Sequence, residues 1–445
     1  MIEFFAVGGF NESGKNMSAV KIDDEIVIFD MGFYLQKIVD FEEEGGNRQD
    51  LTANQLIKLE AIPNDHFLFH LKDKVKAICL SHCHLDHIGA VPYLAGKYEN
   101  AAVLGTPFTI EVLTRMMKDD NLKIDNDIKT INPGSKIKIS DNIEIEMINV
   151  THSTLQAAII AVHTKKGTIL YANDFKFDNN PIVGKKPNYE RLKELGKENV
   201  IALICDSLYS SSEGKTPSEK VAREMLKDVL LGVDNSKNAI IVTTFASHIA
   251  RLKSIVDFGS ELNRKVVFLG RSLMKYVKAA ENLKLVNFSH VEIVGYSDKV
   301  KKRVSKFNKE DLSKYLIVVT GNQGEPRSVL NKMAQGVLPF KFKREDSVIF
   351  SCKTIPVEPN LLNRAALERK LREKGLRIFT DIHASGHCKR EDLRDLIKMT
   401  NPKHIIPAHG DKTKLMPMGL LAEEMGYKSG KNIHIMDDGK YIKLE

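Results

Sequence analysis

Short apolar runs, each closed by glycine, asparagine, aspartate or histidine, recur along the first half of the chain. Ile2 to Val7, Met17 to Ile22 and Glu25 to Asp30 alternate or run apolar with β-branched residues, which predicts a meander of strands. Val75 to Leu80 reads as a buried strand. Further strands are expected at Ala102 to Leu104, Lys136 to Ser140, Ile143 to Val150, Thr168 to Ala172 and Val200 to Cys205. Helical spacing is read at Ile88 to Tyr98, with Pro92 near its start, and at Phe108 to Lys118. Residues 33–70 are polar and irregular apart from a helical patch at Leu56 to Ala61. A connection of that length is usually functional or mobile. The glycine-rich turn from Gly8 to Asn16 reads equally as punctuation or as a loop beside a site.

Beyond Ser207 the pattern changes. Strands at Ala239 to Thr244, Lys265 to Leu269, Leu316 to Thr320 and Ser347 to Ser351 alternate with helices at Ala246 to Phe258, Leu273 to Leu283 and Leu361 to Lys374. Such alternation predicts a parallel sheet with crossover helices. Strands at Leu376 to Thr380 and His404 to Ala408 then return to the earlier pattern. The chain is therefore expected to be α/β, with a first domain split into 1–206 and 376–445 by an inserted domain at 207–375. The Lys-rich stretch Ser297 to Lys314 reads better as a solvated helix than as a nucleic-acid patch.

Composition narrows this only a little. With 445 residues, 42% of them hydrophobic, the chain has room for two or three domains with proper cores. The net charge of +8 tilts the molecule towards polyanions. No basic segment followed by a long apolar run opens the sequence, and no stretch is apolar enough to span a bilayer, so a cytoplasmic protein without membrane contact is expected. The five cysteines form no C-x-x-C pair and read as reduced, buried thiols, Cys83 included.

The chemistry begins at Ser81-His82-Cys83-His84-Leu85-Asp86-His87, which directly follows the strand Val75 to Leu80. Donors this dense repel one another or stay unsatisfied unless a cation lies between them. His152, Asp174 and Asp206 likewise follow strand ends, as does His409 after His404 to Ala408. In a layered α/β fold such ends share one edge. A two-metal arrangement is expected, with His82, His84 and His152 on one ion, Asp86, His87 and His409 on the other, and Asp174 bridging. Ions ~3.5–4 Å apart can acidify a shared water and stabilise both oxygens of an in-line phosphoryl displacement.

H-x-H-x-D-H with His152, Asp174 and His409 resembles the metallo-β-lactamase superfamily. The inserted domain, with Asp206, His387 and His409 at three further motifs, resembles its β-CASP branch. Gly14-Lys15-Asn16-Met17, Thr243-Thr244-Phe245-Ala246-Ser247, Thr320-Gly321-Asn322-Gln323-Gly324-Glu325-Pro326 and His383-Ala384-Ser385-Gly386-His387 are similar to ribonuclease J. The resemblance implies an αββα sandwich with an inserted β-CASP domain. It further implies two zinc ions, with manganese an alternative the same donors accept, and hydrolysis of single-stranded RNA, mainly 5′-to-3′ from a 5′-monophosphate. Asp86, His387 and Asp206 would be catalytic, Asp206 orienting His387. Ser247, Gly321, Gln323, Gly324, His383, Ser385 and Gly386 would hold phosphates, with His248 and Arg251 close by. An endoribonuclease of the related 3′-end-processing group and a non-catalytic RNA-binding protein are the alternatives, and a homodimer is compatible. The sequence ends soon after His409, which is closer to the short archaeal-type members than to bacterial ones with an additional C-terminal domain.

Overall fold

A computed structural model describes residues 1–444. It divides into two compact units. The first comprises Met1–Asn179, Lys185–Thr216 and Gly386–Glu445, and the second Asn180–Gly184 and Pro217–Ser385. Both divides fall further along the chain than 206/207 and 375/376.

The first unit holds two sheets. One runs in the order Lys440–Leu444, Ile2–Gly8, Met17–Ile22, Glu25–Phe29, Val75–Leu80, Ala102–Gly105, Ile128–Thr130. The other runs His404–Ala408, Val200–Asp206, Gly167–Ala172, Ala158–Thr164, Glu144–Asn149, Lys136–Lys138. One face of each sheet meets the other through Phe4, Val20, Val27 and Phe29 on one side and Ile145, Ile160, Ile169 and Ile204 on the other, all buried. Across this core Phe29 stacks on Tyr171, ring centroids 4.8 Å apart. The second sheet's other face is covered by the helices Tyr189–Lys197, Arg390–Thr400 and Lys412–Glu424 through Leu192, Leu396 and Met418. The helix Pro107–Asp119 packs on Ala102–Gly105 and Ile128–Thr130 of the first sheet, and with it these layers are the expected αββα sandwich.

The second unit is built on a wholly parallel sheet in the order Glu292–Val294, Lys265–Leu269, Tyr315–Val319, Ile240–Thr243, Ser347–Phe350, Arg377–Phe379. Its four central strands are buried on both faces apart from Lys265, as crossover helices require, while the edge strands Glu292–Val294 and Arg377–Phe379 are partly exposed.

Two helical readings change. Ile88 to Tyr98 is not one helix but short turns at Leu85–Ile88 and Val91–Leu94 followed by a 3-10 turn at Ala95–Lys97. Pro92 has no N–H to continue a helix, and so it opens a new one. Residues 33–70 are less irregular than their polarity implied. They hold helices at Leu35–Glu43 and Ala53–Lys58, the latter opened by a Thr52/Gln55 capping box, and a 3-10 helix spans His66–Lys74. No helix of the described residues is long and apolar enough to cross a membrane.

Candidate metal centre

In the second sheet Glu144–Asn149, Gly167–Ala172, Val200–Asp206 and His404–Ala408 all point the same way. His152, Asp174, Asp206 and His409 therefore emerge at one edge. Glu25–Phe29 and Val75–Leu80 run parallel in the first sheet and end on Asp30 and His82. Three of these turns use left-handed backbone at a residue other than glycine: Asp30 (φ 55°), Asp174 (φ 57°) and His409 (φ 64°). Such conformations cost on the order of 1–3 kcal/mol each and persist only where their surroundings fix them. Asp30 is fixed by both oxygens. They accept from the Ser81 N–H and hydroxyl at 2.8 Å each, from Tyr171 Oη at 2.9 Å, and meet His87 Nδ1 at 2.8 Å.

Three donor groups converge there and share Asp174: His82, His84, His152 and Asp174; Asp86, His87, Asp174 and His409; and the smaller set Asp174, Asp206 and His387, with the donor atoms of each group within 4.8 Å of one another. The outer nitrogens are committed. His152 Nδ1 donates to the Gly386 carbonyl at 2.7 Å, and His82 Nδ1 donates to the Ser81 hydroxyl, 3.0 Å away, whose own proton goes to Asp30. The lone pairs at Nε2 of both rings are thereby turned on His84 Nδ1, 3.1 Å from each. One proton at most can serve that pair of contacts. Burial holds His82 and His152 well below the ordinary imidazole value, and lowers His84 to about 4. For Asp174 burial alone would raise the pKa, but the rings of His409, His87 and His387 outweigh it and hold the carboxyl well below its ordinary range. Its Oδ1 is buried and accepts no hydrogen bond. Neutral imidazole lone pairs facing a buried, unmatched carboxylate oxygen are the donor set of a divalent cation.

In the smaller set His387 Nδ1 donates to Asp206 Oδ2 at 2.9 Å, and Asp206 Oδ1 accepts from the Leu208 N–H at 2.8 Å. His387 Nε2 lies 4.0 Å from Asp174, and its ring stacks on His409 with centroids 5.5 Å apart. Burial opposes a charge on His387, but Asp174, Asp206 and Asp86 outweigh it and push its pKa up to about 9. Gly386 packs where a side chain would strike Ser153 and His152, so its place here is to hold His152 through its carbonyl. Tyr209 also approaches His387, with centroids 6.0 Å apart; nothing in its sequence context pointed to it.

In the second unit Ser247 immediately precedes the N-cap of the helix Ile249–Glu261, and Gly321 and Gly324 take positive φ in the turn after Tyr315–Val319. Gln323 is tied into that turn. Its amide donates to the Lys353 carbonyl at 3.1 Å and accepts from the Ile355 N–H at 2.8 Å, while its own N–H goes to Glu325. A Cβ on Gly324 would strike the backbone of Asn363 and Arg364, which makes close packing the reason for that glycine. Arg251 is turned away from solvent. It is 1% exposed, pairs with both oxygens of Glu219, and donates to Ser351 and the Ile382 carbonyl. His248 caps the helix, accepting the Arg251 N–H. His383 and Ser385 lie half-buried at the unit's C-terminal end.

Fold and donor set together define a hydrolase of the metallo-β-lactamase type with an inserted β-CASP unit. Residues 61–185 match the beta-lactamase superfamily domain, 237–367 the ribonuclease J beta-CASP domain, and 366–436 a domain described as the Zn-dependent metallo-hydrolase RNA specificity domain. A crystal structure of a protein of unknown function from Enterococcus faecalis V583 shares the fold at a TM-score of 0.66 and 16% identity, over 99% of each chain. Ribonuclease J of Methanocaldococcus jannaschii is 42% identical over 100% of this chain and 99% of its own. Ribonuclease J of Pyrococcus abyssi is 42% identical over 100% and 97%, and that of Thermus thermophilus 32% over 100% and 74%. The chain belongs to the ribonuclease J family.

Proposed function

We propose that this chain is a two-cation ribonuclease of the cytoplasm, acting mainly as a 5′-to-3′ exonuclease on single-stranded, 5′-monophosphorylated RNA. The coarser part follows from family membership and the donor set: the protein is a metal-dependent ribonuclease. The two-cation part rests chiefly on one observation, Asp174 standing in both four-membered donor groups, while the 5′-to-3′ direction and the 5′-monophosphate are carried over from the resemblance to the family. His82, His84 and His152 would hold one cation, and Asp86, His87 and His409 the other. Zinc suits these ligands, and manganese is accepted by the same set. When bound, the cations supply an acidified water and neutralise charge on the phosphate oxygens. The chain's own part is proton delivery and positioning. Asp206 fixes the His387 ring through Nδ1, so Nε2 faces the donor groups and gives its proton to the departing oxygen. Ser247, His383 and Ser385, with the backbone at Gly321 and Gly324, are the phosphate contacts we assign in the second unit; the side chain of Gln323 is already engaged.

The test is product length from a 5′-labelled, monophosphorylated RNA, with bound metal counted on the same sample. Mononucleotides released from the start are expected, with slower cutting of the triphosphorylated strand. A circular RNA degraded as fast as the linear one would replace the exonuclease reading with the endonucleolytic one.

A further inference from the structure

Asn16 ends the glycine-rich turn that begins at Gly8, and it is only 1% exposed. Its Nδ2 donates to the Asp86 carbonyl at 3.0 Å and lies 3.2 Å from His87 Nε2. Its Oδ1 meets His409 Nδ1 at 3.0 Å and accepts from Asn173 Nδ2 at 3.2 Å. The orientation of this amide follows from its neighbours. The Asp86 carbonyl can only accept, so the NH2 must face it, and Asn173 presents a donor to the other end. His409 Nδ1 must then carry the proton, which leaves the lone pair at Nε2, 3.5 Å from Asp174 Oδ1. Its second amide hydrogen lies towards His87 Nε2, while His87 Nδ1 gives its proton to the Asp30 carboxylate. One buried amide thus selects the ligating tautomer of His409 and borders the ligating nitrogen of His87. His82 and His152 take theirs from Ser81 and the Gly386 carbonyl instead.

The turn is shaped around this contact. The Gly9 carbonyl accepts the His409 N–H at 2.8 Å, Gly9 has φ +89°, and a Cβ there would come within 2.5 Å of Asn16 Oδ1. From this we infer that Asn16 is a positioning residue that readies His87 and His409, and with them Asp86 and Asp174, for one of the two cations. The inference rests on the two-cation reading.

Chelator-stripped protein is titrated with Zn2+ and with Mn2+ against a chromophoric competitor, in wild type, Asn16→Leu, Asn16→Asp and His152→Ala, with far-UV circular dichroism as the check on folding. Leucine keeps the volume without the hydrogen bonds, and aspartate keeps the acceptor towards His409. Wild type is expected to take two ions. Asn16→Leu weakens one of them about 10–100-fold, the range for lost partners of metal-bound histidines. It leaves intact the ion that His152→Ala weakens. Nitrogen-15 spectra of the metal-free protein should show His409 as the Nδ1–H form in wild type and Asn16→Asp, and as a mixture in Asn16→Leu. Two wild-type ions with both affinities unchanged in folded Asn16→Leu would overturn the inference and leave the two-cation reading standing. A single ion in wild type overturns that reading, and the inference with it. Should the leucine variant not fold, the wild-type spectrum decides: His409 found as the Nε2–H form refutes the role of Asn16.

Discussion

At the scale of single residues the charge on His387 is the most direct handle on the chemistry. Its pKa of about 9 in the metal-free chain lies above the ordinary imidazole value of about 6.5 because three carboxylates outweigh its burial. A raised value means that the stability contributed by the protonated ring is fully present below about pH 6.5 and is lost as pH rises through about 9. A histidine resonance titrating near 9 in metal-free protein is therefore expected, falling towards the ordinary value in Asp206→Asn. The loss of melting temperature between neutral and alkaline pH should shrink in the same variant. An unmoved titration would remove Asp206 as the partner that holds this proton. For turnover, His387→Ala should cut kcat by roughly 10²–10⁴-fold, the usual range for a lost proton donor. Bound metal should be unchanged. Residues of this kind were legible to unequal degrees. His82 to His87 declare themselves because four donors stand within six positions of one another. Asn16 stands out in the sequence only as part of a turn and a family-like motif; its role could not be read, since its partners Asp86, Asn173 and His409 come next to it only through the fold.

At the scale of elements, the rule that donors follow strands was readable, while the backbone that aims them was not. Val75–Leu80 and His404–Ala408 appear where their apolar runs end, because a buried strand needs little more than that run to be recognised. The left-handed turns at Asp30, Asp174 and His409 leave no trace in hydrophobic patterning, and neither does the tight crossing at Gly32. A Cβ on Gly32 would run into the Asp86 carbonyl and the His87 nitrogen, so Gly32→Ala must push the ligand turn away. It should lower bound metal at least tenfold in affinity. Gly96→Ala, with nothing within 4 Å, serves as the silent control. Equal metal content in the two variants would show that the turn yields without harm. The helix Ile249–Glu261 carries a different lesson. Arg251 is expected from the resemblance beside the phosphate contacts, but it closes a buried ion pair with Glu219, which sequence spacing does not reveal. Arg251→Met strips Glu219 of its guanidinium and two carbonyls of a donor, and should cost about 3–5 kcal/mol in urea denaturation. A loss below about 1 kcal/mol would mean that the pair is dispensable.

At the scale of the whole molecule, the chemistry and the parallel sheet belong to different parts of the chain. His82, His84, Asp86, His87, His152, Asp174, Asp206, His387 and His409 all lie in the first unit, although the second interrupts it between Thr216 and Gly386. Metal binding should therefore be linked to the stability of the first unit alone. Each cation stabilises the state that binds it by RT ln(1 + [L]/Kd), about 2.7 kcal/mol at a hundredfold excess over Kd. Without metal the first unit is left with facing lone pairs and a bare Asp174 oxygen, whereas no His/Asp donor group of this kind lies among the described residues of the second. Hydrogen exchange read by mass spectrometry, with and without chelator, separates the two. Chelation should speed exchange in peptides covering Val75–Leu80, Gly167–Ala172 and His404–Ala408. Those covering Lys265–Leu269, Tyr315–Val319 and Ile240–Thr243 should keep their protection. Equal loss in both sets would show that the units open as one, and that the inserted sheet depends on metal as much as the first unit does.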